Sequence, residues 1–242
     1  MSSTAIASLA IRSLPITIGL IALFAPYSSG ASTITLHSGN GTIGTTDSLI
    51  TMFLGPADLP FSTAFTSTDF AAARSGPGAT ITHQEAGVWK VVLDSDPTAK
   101  WIRNGPHATA LYAIDFTLTS SMLAAVSLDF AFLVDNQLGD SINEGLFVNE
   151  FPLVGSKLLG GETAHFAEDQ SFPTFDITPF VVEGANTLYI NGVDLGGAGA
   201  LQFSATVNAS AVPEPSTAAL CIIGLIGLAL KRQAAARRPT RQ

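Results

Sequence analysis

Apolar and polar residues alternate with a period of two along much of residues 87–208. From Thr109 to Leu118, Tyr112, Ile114, Phe116 and Leu118 share one side of an extended chain, and Leu111, Ala113, Asp115 and Thr117 share the other. Successive side chains of a strand point to opposite faces, so the first set predicts a core face. Ala125–Asn136 repeats the pattern with Val126, Leu128, Phe130 and Phe132, and Ala200–Val207 with Leu201, Phe203, Ala205 and Val207. Shorter strands are predicted at Gly87–Leu93, at Glu144–Phe151 and at Thr187–Ile190, the last ending on the hairpin dipeptide Asn191-Gly192. Residues 32–86 are less regular, with strands predicted near Thr33–His37, Phe61–Phe65 and Ala79–His83. No stretch of 32–213 carries a sustained 3.6-residue apolar stripe. The pattern therefore predicts an all-β domain over 32–208, an antiparallel β-sandwich or jelly roll, with Ala209–Ser216 as a linker.

The two ends follow different rules. Arg12, the apolar run Leu14–Phe24 and the small residues Ser29-Gly30-Ala31 stand in the order of a secretory signal peptide over 1–31, with cleavage expected after Ala31. At the other end Thr217–Leu230 has no charged residue, and Lys231, Arg232, Arg237, Arg238 and Arg241 follow it. That order predicts a single membrane helix over 217–230 and a basic cytoplasmic tail over 231–242.

Charge narrows the partners. Residues 32–213 hold five basic and 18 acidic residues, a net of −13. Such a domain repels nucleic acid and anionic lipid. The one cysteine, Cys221, lies in the apolar span, so neither a disulfide nor a thiol nucleophile is expected in the β-domain.

The tail Val212-Pro213-Glu214-Pro215-Ser216, followed by the apolar span and the Arg-rich end, resembles the PEP-CTERM sorting signal of Gram-negative bacteria. The resemblance implies recognition by an exosortase-type enzyme of the inner membrane, then delivery to the cell surface or the exopolysaccharide matrix. A second series is similar to the extracellular domain of many PEP-CTERM proteins and to galactose-binding-like jelly rolls. It runs Trp101-Ile102, Asp115–Leu118, Val134-Asp135-Asn136, Phe147-Val148-Asn149, Phe175–Phe180 and Gly184–Leu188. In that resemblance a glycine usually follows Asn149. Glu150 stands there instead, which puts the turn in question.

Catalytic signatures are scarce. The chain has no Gly-x-Ser-x-Gly elbow, and His37, His83, His107 and His165 form no His-Glu-x-x-His pair. The glycine-rich Gly192–Gly199 lacks the lysine of a phosphate loop and reads as a connection between strands. Asp135, Asn136, Asp140 and Glu144 crowd hard oxygen donors into ten residues, either as an exposed turn or as a calcium loop, the one cofactor the sequence suggests. Glu144, Glu150, Glu162 and Glu168 supply carboxylates for glycoside chemistry, and Trp89, Trp101 and Tyr112 supply rings for sugar stacking or core packing. The expected function is that of an exported, non-enzymatic surface or matrix protein, with polysaccharide binding as its narrower form. The alternative is a secreted glycoside-active enzyme.

Overall fold

A computed structural model of the chain describes residues 31–83, 88–103, 105, 108–119, 122–160, 164–210 and 225. The expected signal peptide, save its last residue Ala31, the expected sorting motif and the basic tail lie outside these residues. Of the apolar span only Leu225 is described, as helical and exposed. Among the described residues no helix is long and apolar enough to cross a membrane.

The β-domain is an antiparallel sandwich. Its long strands are β1 (Ala31–His37), β2 (Thr46–Ala57), β5 (Ala108–Leu118), β6 (Ala125–Asp135), β12 (Gly184–Val193) and β13 (Ala200–Ser210). Short strands complete it: β3 (Gly78–Ile81), β4 (Ile102–Arg103), β7 (Gln137–Leu138), β8 (Leu146–Val148), β9 (Phe151–Pro152), β10 (Gln170–Ser171) and β11 (Phe175–Asp176). Hydrogen bonding runs continuously in the order β10-β6-β13-β4-β3-β2-β5-β12-β8-β9, with β11 also on β6, β1 also on β13 and β7 also on β12. The sheet folds over at β4 and β3, so that β6, β13 and β1 face β2, β5 and β12 across one core.

The alternation predicts that core correctly. Phe130, Phe132 and Phe203 are fully buried, Phe132 lies opposite Phe203 in the β6–β13 ladder, and Phe130 stacks on Phe203 at 5.6 Å. Tyr112, Ile114, Leu188 and Ile190 close it from the other layer. Each such side chain contributes on the order of 1.5–3 kcal/mol by leaving water.

Both sheets also carry apolar groups on their outer faces. Leu111 and Ala113 of β5 are buried under α1 (Ser67–Ser75) with Phe70, Phe147 and Tyr189. The nine-residue α1 is a helix the alternation did not predict. The Asp69 carboxylate accepts both the N–H and the O–H of Thr66, which anchors its first turn. On the opposite outer face Trp89 and Trp101 stack at 4.5 Å over Leu133, beside Phe166 of the single helical turn α2 (Ala164–Ala167).

Four local expectations are corrected. Phe61–Phe65 is not a strand; its two phenylalanines pack edge to face at 4.8 Å in the α1 cluster. The described part of Gly87–Leu93 is turn and bend, because Trp89 and Leu93 both fold down onto the sheet. Asn191-Gly192 is no hairpin; it lies inside β12, where Gly192 pairs with Ala110 on one side and Leu138 on the other. A side chain on Gly192 would meet the Tyr112 ring at 3.1 Å, so close approach explains this glycine. Finally β13 runs through Ala209 and Ser210, two residues into the expected linker.

The turn at Asn149-Glu150 forms without glycine. Both residues adopt positive φ, 48° and 74°, and join β8 to β9 as a two-residue hairpin. Asn149 is braced by Phe180 O, Asn186 Oδ1 and Thr187 N, and Glu150 accepts the Ser67 hydroxyl at 2.7 Å. These bonds hold a conformation that non-glycine residues rarely adopt.

Candidate functional site

The acidic loop is built inward. Asp140 is 1% exposed. Its Oδ1 accepts the N–H groups of Ile142 and Asn143, each at 2.7 Å. Its Oδ2 accepts the side-chain amides of Asn143 at 3.2 Å and Asn191 at 3.1 Å. Asn143 in turn donates to Thr63 O and accepts Phe65 N, which ties the loop to the segment leading into α1. Asp135 accepts Trp89 Nε1 at 2.7 Å and the Asn136 amide at 2.7 Å. Asn136 Oδ1 accepts Leu195 N, and its carbonyl meets His165 Nδ1 at 3.1 Å. Glu144 accepts Gly155 N and Ser156 N at 3.2 Å, with Lys157 Nζ at 3.7 Å.

Each of the four residues thus clasps a different piece of backbone or side chain. The structure does not gather them around one point. Among the described residues no group of three or more His, Cys, Asp or Glu is placed to hold a metal ion. The loop is also not the exposed turn of the simpler expectation, since Asp140 and Asn143 are both buried.

The rings considered for sugar stacking are in the interior. Trp89, Trp101 and Tyr112 are all buried, and both indoles donate internally, Trp89 to Asp135 and Trp101 to Lys90 O at 2.9 Å. Burial, and then the charge of Asp194, push the Tyr112 phenol above its ordinary value. Of the four glutamates, Glu144 is held by Lys157 and the 155–156 backbone, Glu150 by Ser67, and Glu168 is exposed. Glu162 and His107 lie outside the described residues.

The register also lays out a feature that was not singled out in the sequence. On the outer face of β1, β13 and β6 the rows read Thr33–Asn208–Ser127, Thr35–Thr206–Asp129 and His37–Ser204–Ala131. The hydroxyl of Thr33 donates to Asn208 Oδ1, while Asp129 accepts the Asn208 amide and the Thr174 hydroxyl. A polar ladder thus crosses the sheet. Two grooves of about 450 and 290 Å³ run along β6, one with Ser127, Thr174, Asp176 and Asn208, the other with Asp129, Ser171, Ser204 and Thr206. Beside them burial would raise the Asp96 carboxyl, but hydrogen bonds from Thr98 and Ser204 outweigh it and hold that carboxyl below its ordinary range. The signal for it in the sequence is the polar half of each alternating strand, Thr33 and Thr35 in β1, Ser204, Thr206 and Asn208 in β13, and Ser127 and Asp129 in β6.

No model of a known protein family matches the chain, and no curated protein is significantly similar to it.

Proposed function

We propose that this chain is an exported, non-enzymatic surface or exopolysaccharide-matrix protein, sorted through its C-terminal tail. The carrying observation is the order of parts. A signal peptide precedes a β-domain, and Val212-Pro213-Glu214-Pro215-Ser216 precedes an apolar span and five basic residues. Two prolines keep the motif out of helix, since each fixes φ and lacks an amide donor. The span Thr217–Leu230 holds it at the outer boundary of the inner membrane, and the basic tail resists translocation. An exosortase-type enzyme meets Glu214 at a fixed height there and releases the domain to the surface or matrix of a Gram-negative cell.

The β-domain supports this reading. Ser32 pairs with Ala209, so the domain begins and ends on neighbouring strands. In its narrower form the protein contacts extracellular polysaccharide, and the ladder Thr33–Asn208–Asp129–Thr174 offers hydroxyl, amide and carboxylate groups suited to sugar hydroxyls.

The test replaces Glu214 by Ala, or neutralises the five basic residues, in a host with the sorting system. Uncut or misrouted precursor is expected. Normal release and localisation of both variants would leave the tail a plain anchor.

A further inference from the structure

A β-sheet must end somewhere, and each free edge presents unpaired N–H and C=O groups to other chains. Three margins of this sheet differ. At one end β9 is two residues long and ends in Pro152, which has no N–H to offer. Beyond β6, β10 and β11 are two residues each, with Pro173 between them. These are blunted edges. The third margin is β1, seven residues, Ala31-Ser-Thr-Ile-Thr-Leu-His37, with no proline, lysine or carboxylate.

The outward groups of β1 follow from its register. Ser38 N donates to Phe203 O, on the β13 side. Antiparallel strands alternate their bonding direction, so Leu36, Ile34 and Ser32 also bond to β13. The N–H and C=O of Ala31, Thr33 and Thr35 therefore point away from it. Among the described residues β1 pairs with β13 alone, and Ala31, Thr33 and Thr35 are all exposed. The outward carbonyl of His37 is already taken by the Asn40 side-chain amide at 2.7 Å, which closes the edge at that end.

We infer that β1 is a self-association edge, at which a second copy of this chain adds its own β1 antiparallel. The charge on the page favours a second copy. Residues 32–213 carry a net −13, so two copies repel over most of their surface. The β1 strip holds no charged residue, so here they meet without opposition, and a basic partner would find no carboxylate on it. The strip is also self-complementary. A two-fold axis at Thr33 sets Thr33 opposite its own copy and Ala31 opposite Thr35, using outward groups only and leaving His37 O with Asn40. In the chain that still carries Ala31 about six backbone hydrogen bonds form, two between the Thr33 copies and four between Ala31 and Thr35, and Thr and Ile suit the pleated pairing. The Thr, Ser and Asn rows of the outer face then continue across the joint.

The experiment uses the full chain in a mild detergent and reads amide exchange residue by residue. Protection of Thr33 and Thr35 should rise about tenfold between about 1 and 200 μM protein, while Ile34 and Leu36 stay constant. Thr33→Lys and Thr33→Asp each set like charges opposite one another and should abolish the rise. A one-to-one mixture of the two variants should restore it, which also shows that both are folded. Protection independent of concentration would overturn the inference. So would a rise that persists in both variants, which would assign association to the tail. Protection appearing only when another macromolecule is added would assign the edge to a foreign strand and overturn it equally.

Discussion

Asp140→Ala is expected to destabilise the β-domain substantially and independently of calcium. The carboxylate is 1% exposed and accepts from Ile142 N, Asn143 N, Asn143 Nδ2 and Asn191 Nδ2. Its removal takes one acceptor from each of four donors, of which Asn143 Nδ2 and Asn191 Nδ2 keep Thr63 O and Glu144 O. An unsatisfied buried donor costs about 1–3 kcal/mol, but neighbours relax and the terms do not add. A net loss of roughly 3–5 kcal/mol is expected, a large share of an ordinary domain's stability. For a domain of this size that corresponds to a fall of about 6–20 °C in melting temperature. Asp140→Asn keeps the shape but sets an amide NH2 against one of two donor pairs, the backbone N–H groups of Ile142 and Asn143 or the side-chain amides of Asn143 and Asn191, and should lose at least about 2 kcal/mol. The assay is thermal and urea unfolding of the full chain in detergent, with chelator and with calcium at about 1 mM. If Asp140 is a clasp, calcium moves none of the curves. Wild-type stability that rises with calcium, with no rise in Asp140→Asn, would refute the clasp and make the carboxylate a ligand. So would a loss under 1 kcal/mol.

Two further outcomes are expected. Trp101→Ala opens a cavity beneath Trp89 and beside Leu133, and should cost about 3–5 kcal/mol by urea unfolding. Tyr112 contributes stability held in full below about pH 10, its unfolded value, and lost as pH climbs towards its raised folded one. The wild type should therefore weaken above about pH 10, and Tyr112→Phe should flatten that part of the profile.

The sequence was most legible where one face of a strand is apolar and the other polar. β6, β13 and the inner face of β5 follow from alternation alone. Reading failed where both faces are covered. In β2, Ile50 and Met52 enter the core while Phe53 packs under the α1 cluster, and Gly55-Pro56 breaks the run, so no period shows. Helix α1 escaped because nine residues with two buried side chains give no lasting stripe. Gly87–Leu93 looked like a strand because Trp89 and Leu93 are apolar, but they bury against a sheet rather than within one. The acidic loop was legible as composition but not as geometry. Asp140 meets Asn191 51 positions away, a contact that spacing cannot reveal.

The pairing of β1 with β13 also sets an order of events. Thr33 and Asn208 bond across 175 positions, so the first strand made is among the last to find its partner. At synthesis rates of about 5–20 residues per second, β1 waits on the order of 10–35 s for β13. β13 is also the central strand between β6 and β1, so that layer has no middle until it arrives. Long-range pairing of this kind is slow to nucleate. Nothing can close that layer while residues 200–210 are still to come. A chain cut short before Ala200 would therefore leave β1 and β6 with no strand between them.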